Sequence, residues 1–200
     1  AVLRLAATVA NNSFDPAQLG TGNAVQYWQP VYVNVLVLDT ESQLQPSLAT
    51  EWSYDDSMTE LSLTLREGVE FTDGTPFDAA AVKANMERVA TGSGSNAYML
   101  ANVASVDVVS DTEVTVTLSQ PDRGLLNYLA TVAGAIASPA SFDDPELATE
   151  PVGSGPYVLN KDESVAGATY VYERNENYWD VKSFPYDSVT VTVMEDATAR

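Results

Sequence analysis

The sequence contains no cysteine and no histidine. Those two absences remove the Ser-His-Asp and Cys-His triads, histidine-ligated metals, zinc fingers and iron–sulfur clusters together. Without cysteine, the chain depends on no redox state and fits either side of a membrane. Positive charge is also scarce. Nine Lys and Arg stand against 28 Asp and Glu, for a net charge of −19. A chain that binds nucleic acid by neutralising phosphates is excluded on that ground, and docking on an anionic membrane surface is disfavoured. The acids are spread along the chain, which reads as a solvated surface; a cationic ligand is the functional alternative. Long apolar runs are missing too. The two longest uncharged stretches, Gly20–Leu38 and Gly124–Phe142, carry Asn, Gln, Ser and Pro. Neither is apolar enough to cross lipid as a helix.

What is present describes a folded chain. Of the 200 residues, 45% are hydrophobic, and ten Tyr, five Phe and three Trp supply core and pocket material. A chain of this length buries about 70% of its unfolded surface, enough to fold without a staple. The ends read as strands: Val2-Leu3-Arg4-Leu5-Ala6-Ala7 at the start and Val189–Met194 near the finish, with Asp196 capping a helix that is only beginning. This reads as a piece of a longer protein.

Between the ends, periodicity predicts several elements. Leu61, Leu63 and Leu65 alternate with polar residues as in a half-buried strand. Val82, Met86 and Val89 form an apolar stripe on a helix over Ala79–Ala90, with Asp78 placed to cap it. Val106–Val109 and Val114–Leu118 flank Ser110-Asp111-Thr112 as a hairpin. Tyr157–Leu159 and Tyr170–Glu173 are further strands, joined by an exposed connection over Lys161–Gly167. Leu125–Ala137 reads as a buried helix, and Asn23–Val33 as a helix interrupted at Pro30. Strands followed by mixed elements indicate an α+β or mixed α/β chain.

Motifs that invite chemistry have simpler readings. Gly153-Ser154-Gly155-Pro156 fits neither a nucleophile elbow nor a phosphate loop. No base is available for Ser154, so the segment reads as a turn where backbones pass closely. Asp55-Asp56 and Asp143-Asp144 are adjacent pairs in turn-like segments, and adjacent side chains diverge; a carboxylate-based hydrolase is the weaker alternative for this reason. The aromatics Tyr27, Trp28, Tyr32 and Tyr98 are candidates for a pocket, with a core role competing at each.

Six segments then occur in a telling order. They are Phe14-Asp15-Pro16-Ala17; Leu44-Gln-Pro46-Ser-Leu-Ala49-Thr-Glu-Trp52; Leu63 to Phe77 with Asp73-Gly74; Val82 with Glu87-Arg88-Val89; Pro151-Val-Gly153-Ser-Gly155-Pro-Tyr157; and Glu173-Arg174-Asn175-Glu-Asn-Tyr178-Trp179. The order and spacing resemble the family 5 extracellular solute-binding proteins, the dipeptide, oligopeptide and nickel receptors of ABC importers. The resemblance covers essentially the whole chain and is specific for family, not for ligand. Two positions depart from it: Ala79-Ala80-Ala81, which removes a capping box, and Thr72 before Asp73-Gly74.

The resemblance implies a mixed α/β, periplasmic-binding-protein-like fold of type II, seen here as its N-terminal lobe. The main lobe would comprise residues 1–38 and 138–200, with 39–137 as an inserted peripheral subdomain and the second lobe lying after residue 200. It implies a binding protein and not an enzyme, with no catalytic residues, no cofactor and no metal site in this part. The cargo would be a peptide, with nickel or another small solute as the alternative. The partners would be that solute and the permease subunits of an ABC transporter, the protein acting as a monomer outside the cytoplasm, periplasmic or held as a lipoprotein. The ligand face, by the family pattern, is expected at Gly22, Asn23, Tyr98 and Ser138. These lie in Gly-, Asn-, Ser- and Tyr-containing stretches able to hydrogen-bond beside buried runs.

Overall fold

The computed structural model describes residues 1–194; the helix start expected at Asp196 lies outside the described residues. The strands are β1 (Val2–Ala7), β2 (Val33–Asn34), β3 (Leu36–Leu38), β4 (Leu44–Pro46), β5 (Ala49–Tyr54), β6 (Glu60–Leu65), β7 (Val103–Ser110), β8 (Glu113–Leu118), β9 (Ala135–Ile136), β10 (Tyr157–Val165), β11 (Thr169–Arg174) and β12 (Ser188–Val193). The α-helices are α1 (Val25–Trp28), α2 (Ala79–Thr91) and α3 (Leu125–Leu129).

Two four-stranded sheets carry the architecture. The first has the order β1-β12-β11-β10. β1 and β12 run parallel, with Val2 opposite Ser188 and Ala7 opposite Val193, whereas β11 is antiparallel to both its neighbours. The strands read near the two ends of the sequence therefore share one sheet. The second sheet, β5-β6-β8-β7, is wholly antiparallel and is inserted in chain order between β1 and β10. Its alternation is clean: Leu61, Leu63 and Leu65 of β6 and Val114, Val116 and Leu118 of β8 are buried. The helix α2 packs on β7 and β8. Val82, Met86 and Val89 turn inward, and the Asp78 carboxylate accepts the Ala81 N–H at 2.9 Å as the expected cap. The short pair β2–β9 joins residues 33–34 to 135–136, tying the two expected parts together.

Two helix expectations change. Leu125–Ala137 is helical only to Leu129; a 3-10 turn over Val132–Gly134 and β9 follow. Tertiary bonding takes over from local propensity here. The Val35 N–H donates to the Gly134 carbonyl, and the Asn34 amide donates to the Thr131 carbonyl. The buried Asn85 side chain both donates to and accepts from the Ala137 backbone. In the Asn23–Val33 stretch, α1 stops at Trp28, ahead of Pro30. The β10–β11 hairpin also runs further than read, with β10 reaching Val165 through a bulge.

Gly153-Ser154-Gly155-Pro156 is the junction of the molecule. The Thr72 N–H donates to the Gly153 carbonyl, the Gly155 N–H to the Val31 carbonyl, and the Asn175 side chain to the Gly155 carbonyl. Neither glycine has a left-handed φ. Close approach is what excludes a side chain: a Cβ on Gly153 would fall 1.9 Å from the Val31 oxygen, and one on Gly155 would fall 2.6 Å from the Pro30 oxygen. The Ser154 hydroxyl is buried and has no hydrogen-bond partner.

Candidate functional site

Because β1 and β12 are parallel, their carboxyl ends lie on one edge of the first sheet, and the β10–β11 turn returns there too. The Met194 N–H donates to the Ala7 carbonyl and the Val193 N–H to the Ala168 carbonyl. Such an edge is where strands release their loops, and where open sheets with parallel strands present ligand sites.

The loop after β1 is held from below by aromatics. Tyr27, which is fully buried, donates its hydroxyl to the Val9 carbonyl at 2.6 Å, and Trp28 donates its indole N–H to the Gly20 carbonyl at 2.9 Å. Tyr32 donates to the Phe14 carbonyl at 2.7 Å. Burial, helped by the neighbouring Tyr170, pushes the Tyr27 phenol up to about 12, so it stays a neutral donor. These three aromatics are struts of the core, and of them only Tyr32 also borders a concavity, the second of those described below.

Above the struts, Gly22 and Asn23 are exposed. Gly22 sits at φ 59°, and the Asn23 amide donates to the Thr8 hydroxyl at 3.3 Å. The loop carrying Tyr98 is fastened to this one by Asn96, whose buried side chain donates to the Leu19 carbonyl at 2.7 Å. Tyr98 itself is 62% exposed and meets Tyr128 edge-on, with ring centroids 6.1 Å apart. Three of the four expected residues are thus open to solvent on two joined loops.

Ser138 differs. It is fully buried, donates its hydroxyl to Asp73 at 2.6 Å, and lies 3.1 Å from the Thr75 hydroxyl. Its N–H donates to the Val152 carbonyl. Burial opposes ionisation of Asp73, but the Ser138 and Thr75 hydroxyls outweigh it and hold the carboxyl below its ordinary value. Ser138 secures the Asp73-Gly74 turn and offers nothing to an open face. The uncharged stretch around it is packed because its backbone pairs with residues 152 and 153.

Three concavities lie elsewhere, and none is lined by the four expected residues. The first, about 250 Å³, is at the same sheet edge and is bordered by Asn11, Asn12, Glu150, Lys161 and Tyr170. Sequence reading missed it because its walls come from segments more than 130 residues apart, and no local pattern joins them. The second, about 440 Å³, lies toward the amino ends of β1 and β12, between Tyr32, Pro46, Tyr178, Trp179 and Phe184. The Arg66 guanidinium stacks on its Trp179, 3.9 Å from the ring centroid. The third, about 240 Å³, has a mixed lining of Glu70, Phe71, Thr72, Val158, Asn175 and Asn177.

The paired acids are turn formers. The Asp55 carboxylate accepts from the Ser57 hydroxyl and from the Ser57, Thr59 and Glu60 N–H groups, and these bonds, the Ser57 hydroxyl first, hold it down to about 2. Asp144 accepts the Glu146 N–H. Among the described residues, no three or more Asp or Glu side chains converge as a metal site would require. The open face is therefore made of amides, hydroxyls, backbone groups and one phenol. Such groups hold a polar solute by hydrogen bonds.

Comparison with known proteins identifies the frame. The model of the bacterial extracellular solute-binding proteins, family 5, matches residues 43–200. The chain belongs to this family. The glutathione-binding protein GsiB of Escherichia coli strain 536 is 34% identical over 178 residues, covering 84% of this chain and 33% of that protein. GsiB of Salmonella paratyphi A is 33% identical over 176 residues, with the same coverage of 84% and 33%. The chain thus spans about a third of the length of the curated relatives it matches. Among solved structures, an ABC transporter substrate-binding protein from Sinorhizobium meliloti is 33% identical with a TM-score of 0.85, covering 100% of this chain and 41% of that one. NikA from Brucella suis, solved with Fe(III)-EDTA, is 27% identical with a TM-score of 0.84, covering 100% and 41%. The family-5 chain described here accordingly has the mixed α/β fold of the periplasmic-binding type.

Proposed function

We propose that this chain is the N-terminal lobe of a two-lobed receptor that captures a small peptide outside the cytoplasm and delivers it to the permease of an ABC importer. In this reading residues 1–38 and 138–200 form the main lobe and 39–137 the peripheral subdomain. The observation that carries it is the carboxyl edge of β1 and β12, where Gly22, Asn23 and Tyr98 stand exposed on two loops joined through Asn96. Such a face can satisfy the amides of an extended ligand, while a second lobe closing over it would exclude water. The ligand would favour the closed form by touching both lobes. The name of the GsiB relatives makes glutathione, itself a peptide, a natural first probe. The protein would act as a monomer, by binding and without chemistry, in the periplasm or tethered as a lipoprotein.

The test is calorimetry on the full-length protein and on the 200-residue chain, with glutathione and a mixed di- and tripeptide library. Both lengths take away the ligand's rigid-body freedom, a cost of at least about 4 kcal/mol, but the single lobe offsets it with only its own share of the contacts. The full-length protein should therefore bind at least about a hundredfold more tightly than the chain. Asn23→Ala and Tyr98→Ala should each weaken binding by about tenfold. Equal binding by the two lengths, or indifference to both substitutions, would remove the proposal.

A further inference from the structure

The first concavity has a wall that the receptor reading does not use. Lys161 reaches across it and donates to both carboxylate oxygens of Glu150, at 3.0 and 3.1 Å. The two side chains are 64% and 43% exposed, so this pair is held by solvent-screened attraction and is cheap to open. The same wall includes Asn11, whose amide oxygen is buried and lacks a hydrogen-bond partner. Phe14 and Tyr170 form the apolar floor, meeting edge-on at 6.3 Å.

We propose that this concavity is a second binding site, separate from the Gly22–Asn23–Tyr98 face, and that it takes a small zwitterion such as an amino acid or dipeptide by opening the Lys161–Glu150 pair. The selection follows from charge balance. A lone cation arriving at Glu150 would leave the Lys161 ammonium without a partner, and a lone anion arriving at Lys161 would strand Glu150. A zwitterion leaves neither charge unpaired: its carboxylate takes Lys161, its ammonium takes Glu150, and the ammonium also brings the donor that the Asn11 oxygen lacks. Glu150 above all, through its hydrogen bonds, and then Asp162 and Glu146 favour the charged form of Lys161, so an ammonium stands ready for a ligand carboxylate. The volume of about 250 Å³ admits a ligand of dipeptide size, and it opens on the same sheet edge from which β1 and β12 release their loops.

The test uses glycylglycine, with N-acetylglycine (anion only) and glycinamide (cation only) as controls, in calorimetric titrations of the full-length protein. Glycylglycine should bind about tenfold more tightly than either control. Lys161→Met and Glu150→Gln should each weaken it by about fivefold, with the unfolding temperature nearly unchanged. The exchanged pair, Lys161→Glu with Glu150→Lys, should restore most of the binding lost in the single variants, because a zwitterion can be turned round, though its ammonium then no longer serves Asn11. Equal binding of the single-charge controls, insensitivity to both single substitutions, or failure of the exchanged pair would each overturn the proposal. The double variant Asn23→Ala with Tyr98→Ala separates the two sites. If it alone abolishes the glycylglycine isotherm, the dipeptide sits on the receptor face: this proposal falls and the receptor reading stands. If the isotherm survives in that variant while glutathione and the peptide library bind nowhere, the receptor reading falls and the second site stands.

Discussion

Replacing Gly153 by alanine should be among the most damaging single-methyl changes this fold can receive. The added carbon would lie 1.9 Å from the Val31 oxygen, 2.7 Å from Tyr32 Cδ1 and 2.9 Å from the Val31 carbonyl carbon. Two of the three obstacles are backbone atoms, so no rotamer change relieves the clash. The chain must retreat by about 1 Å in an interior that is packed like a crystal. That retreat works against three bonds made within the same few residues: Thr72 N–H to Gly153 carbonyl at 2.9 Å, Ser138 N–H to Val152 carbonyl at 2.9 Å, and Gly155 N–H to Val31 carbonyl at 3.0 Å. Losing two of them in a buried setting, at about 1–2 kcal/mol each, plus repacking around Tyr32, gives a cost of about 3–5 kcal/mol. Gly22→Ala is the control. Its site is open, with nothing within 4 Å of the added carbon, and only φ 59° opposes it. It should cost about 1–2 kcal/mol. The assay is urea unfolding of both variants beside the native protein, followed by tryptophan fluorescence. Gly153→Ala within about 0.5 kcal/mol of Gly22→Ala would refute the reasoning, by showing that the junction is compliant.

Asn85→Leu should destabilise by about 2–4 kcal/mol, because the Ala137 N–H and carbonyl lose their buried partner; thermal melts check this, and a change below about 1 kcal/mol would mean another group takes over. Ser154→Ala should be neutral or stabilising, since its buried hydroxyl has no partner to lose; a stability loss or a loss of solute binding would mean that hydroxyl is used. Arg88→Met should lower stability at neutral pH and lessen its fall toward acid. Burial opposes ionisation of Asp15 most strongly, yet the paired Arg88, at 2.8 Å to each carboxylate oxygen, and the Ala17 N–H hold the carboxyl below its ordinary value. The stability that Asp15 supplies is complete above the ordinary carboxylate pKa and is lost as pH falls through its depressed one. Without Arg88, burial dominates and the folded Asp15 carboxyl prefers its neutral form, so that stability is already missing at neutral pH and the difference between native protein and variant shrinks as pH falls, which urea unfolding at a series of pH values would report; a difference independent of pH would sink the assignment.

Elements whose own residues decide their burial were legible in the sequence. Leu61, Leu63 and Leu65 alternate because one face of β6 is wet, and Asp78 caps α2 through a contact only three residues away. The Leu125–Ala137 stretch was not legible, because its carbonyls are claimed by Val35, Asn34 and Asn85, each of them distant in sequence. The candidate site divides in the same way. Gly22 and Asn23 lie in a polar loop whose composition already marks it as exposed. Ser138 lies in a stretch of similar composition, but its fate was set by Asp73, 65 residues away. The Lys161–Glu150 concavity left no trace in any local window, since charged residues on surface segments are ordinary until folding brings them together.

The pairing of β1 with β12 also sets an order of assembly. The hairpins β5–β6, β7–β8 and β10–β11 join neighbours in sequence and can close as soon as they are made. β1 cannot. Its only strand partner among the described residues begins at Ser188, and the Ala1 carbonyl accepts the Asp187 N–H. Closing so long a loop costs little more than closing one half its length, about 0.6 kcal/mol per doubling, but it requires the far end to exist. Of the described strands, β1 is thus among the last to be placed. Until then Val2, Leu3 and Leu5 have no strand to pair with, and an unpaired apolar strand is open to mispairing or to a chaperone's hold.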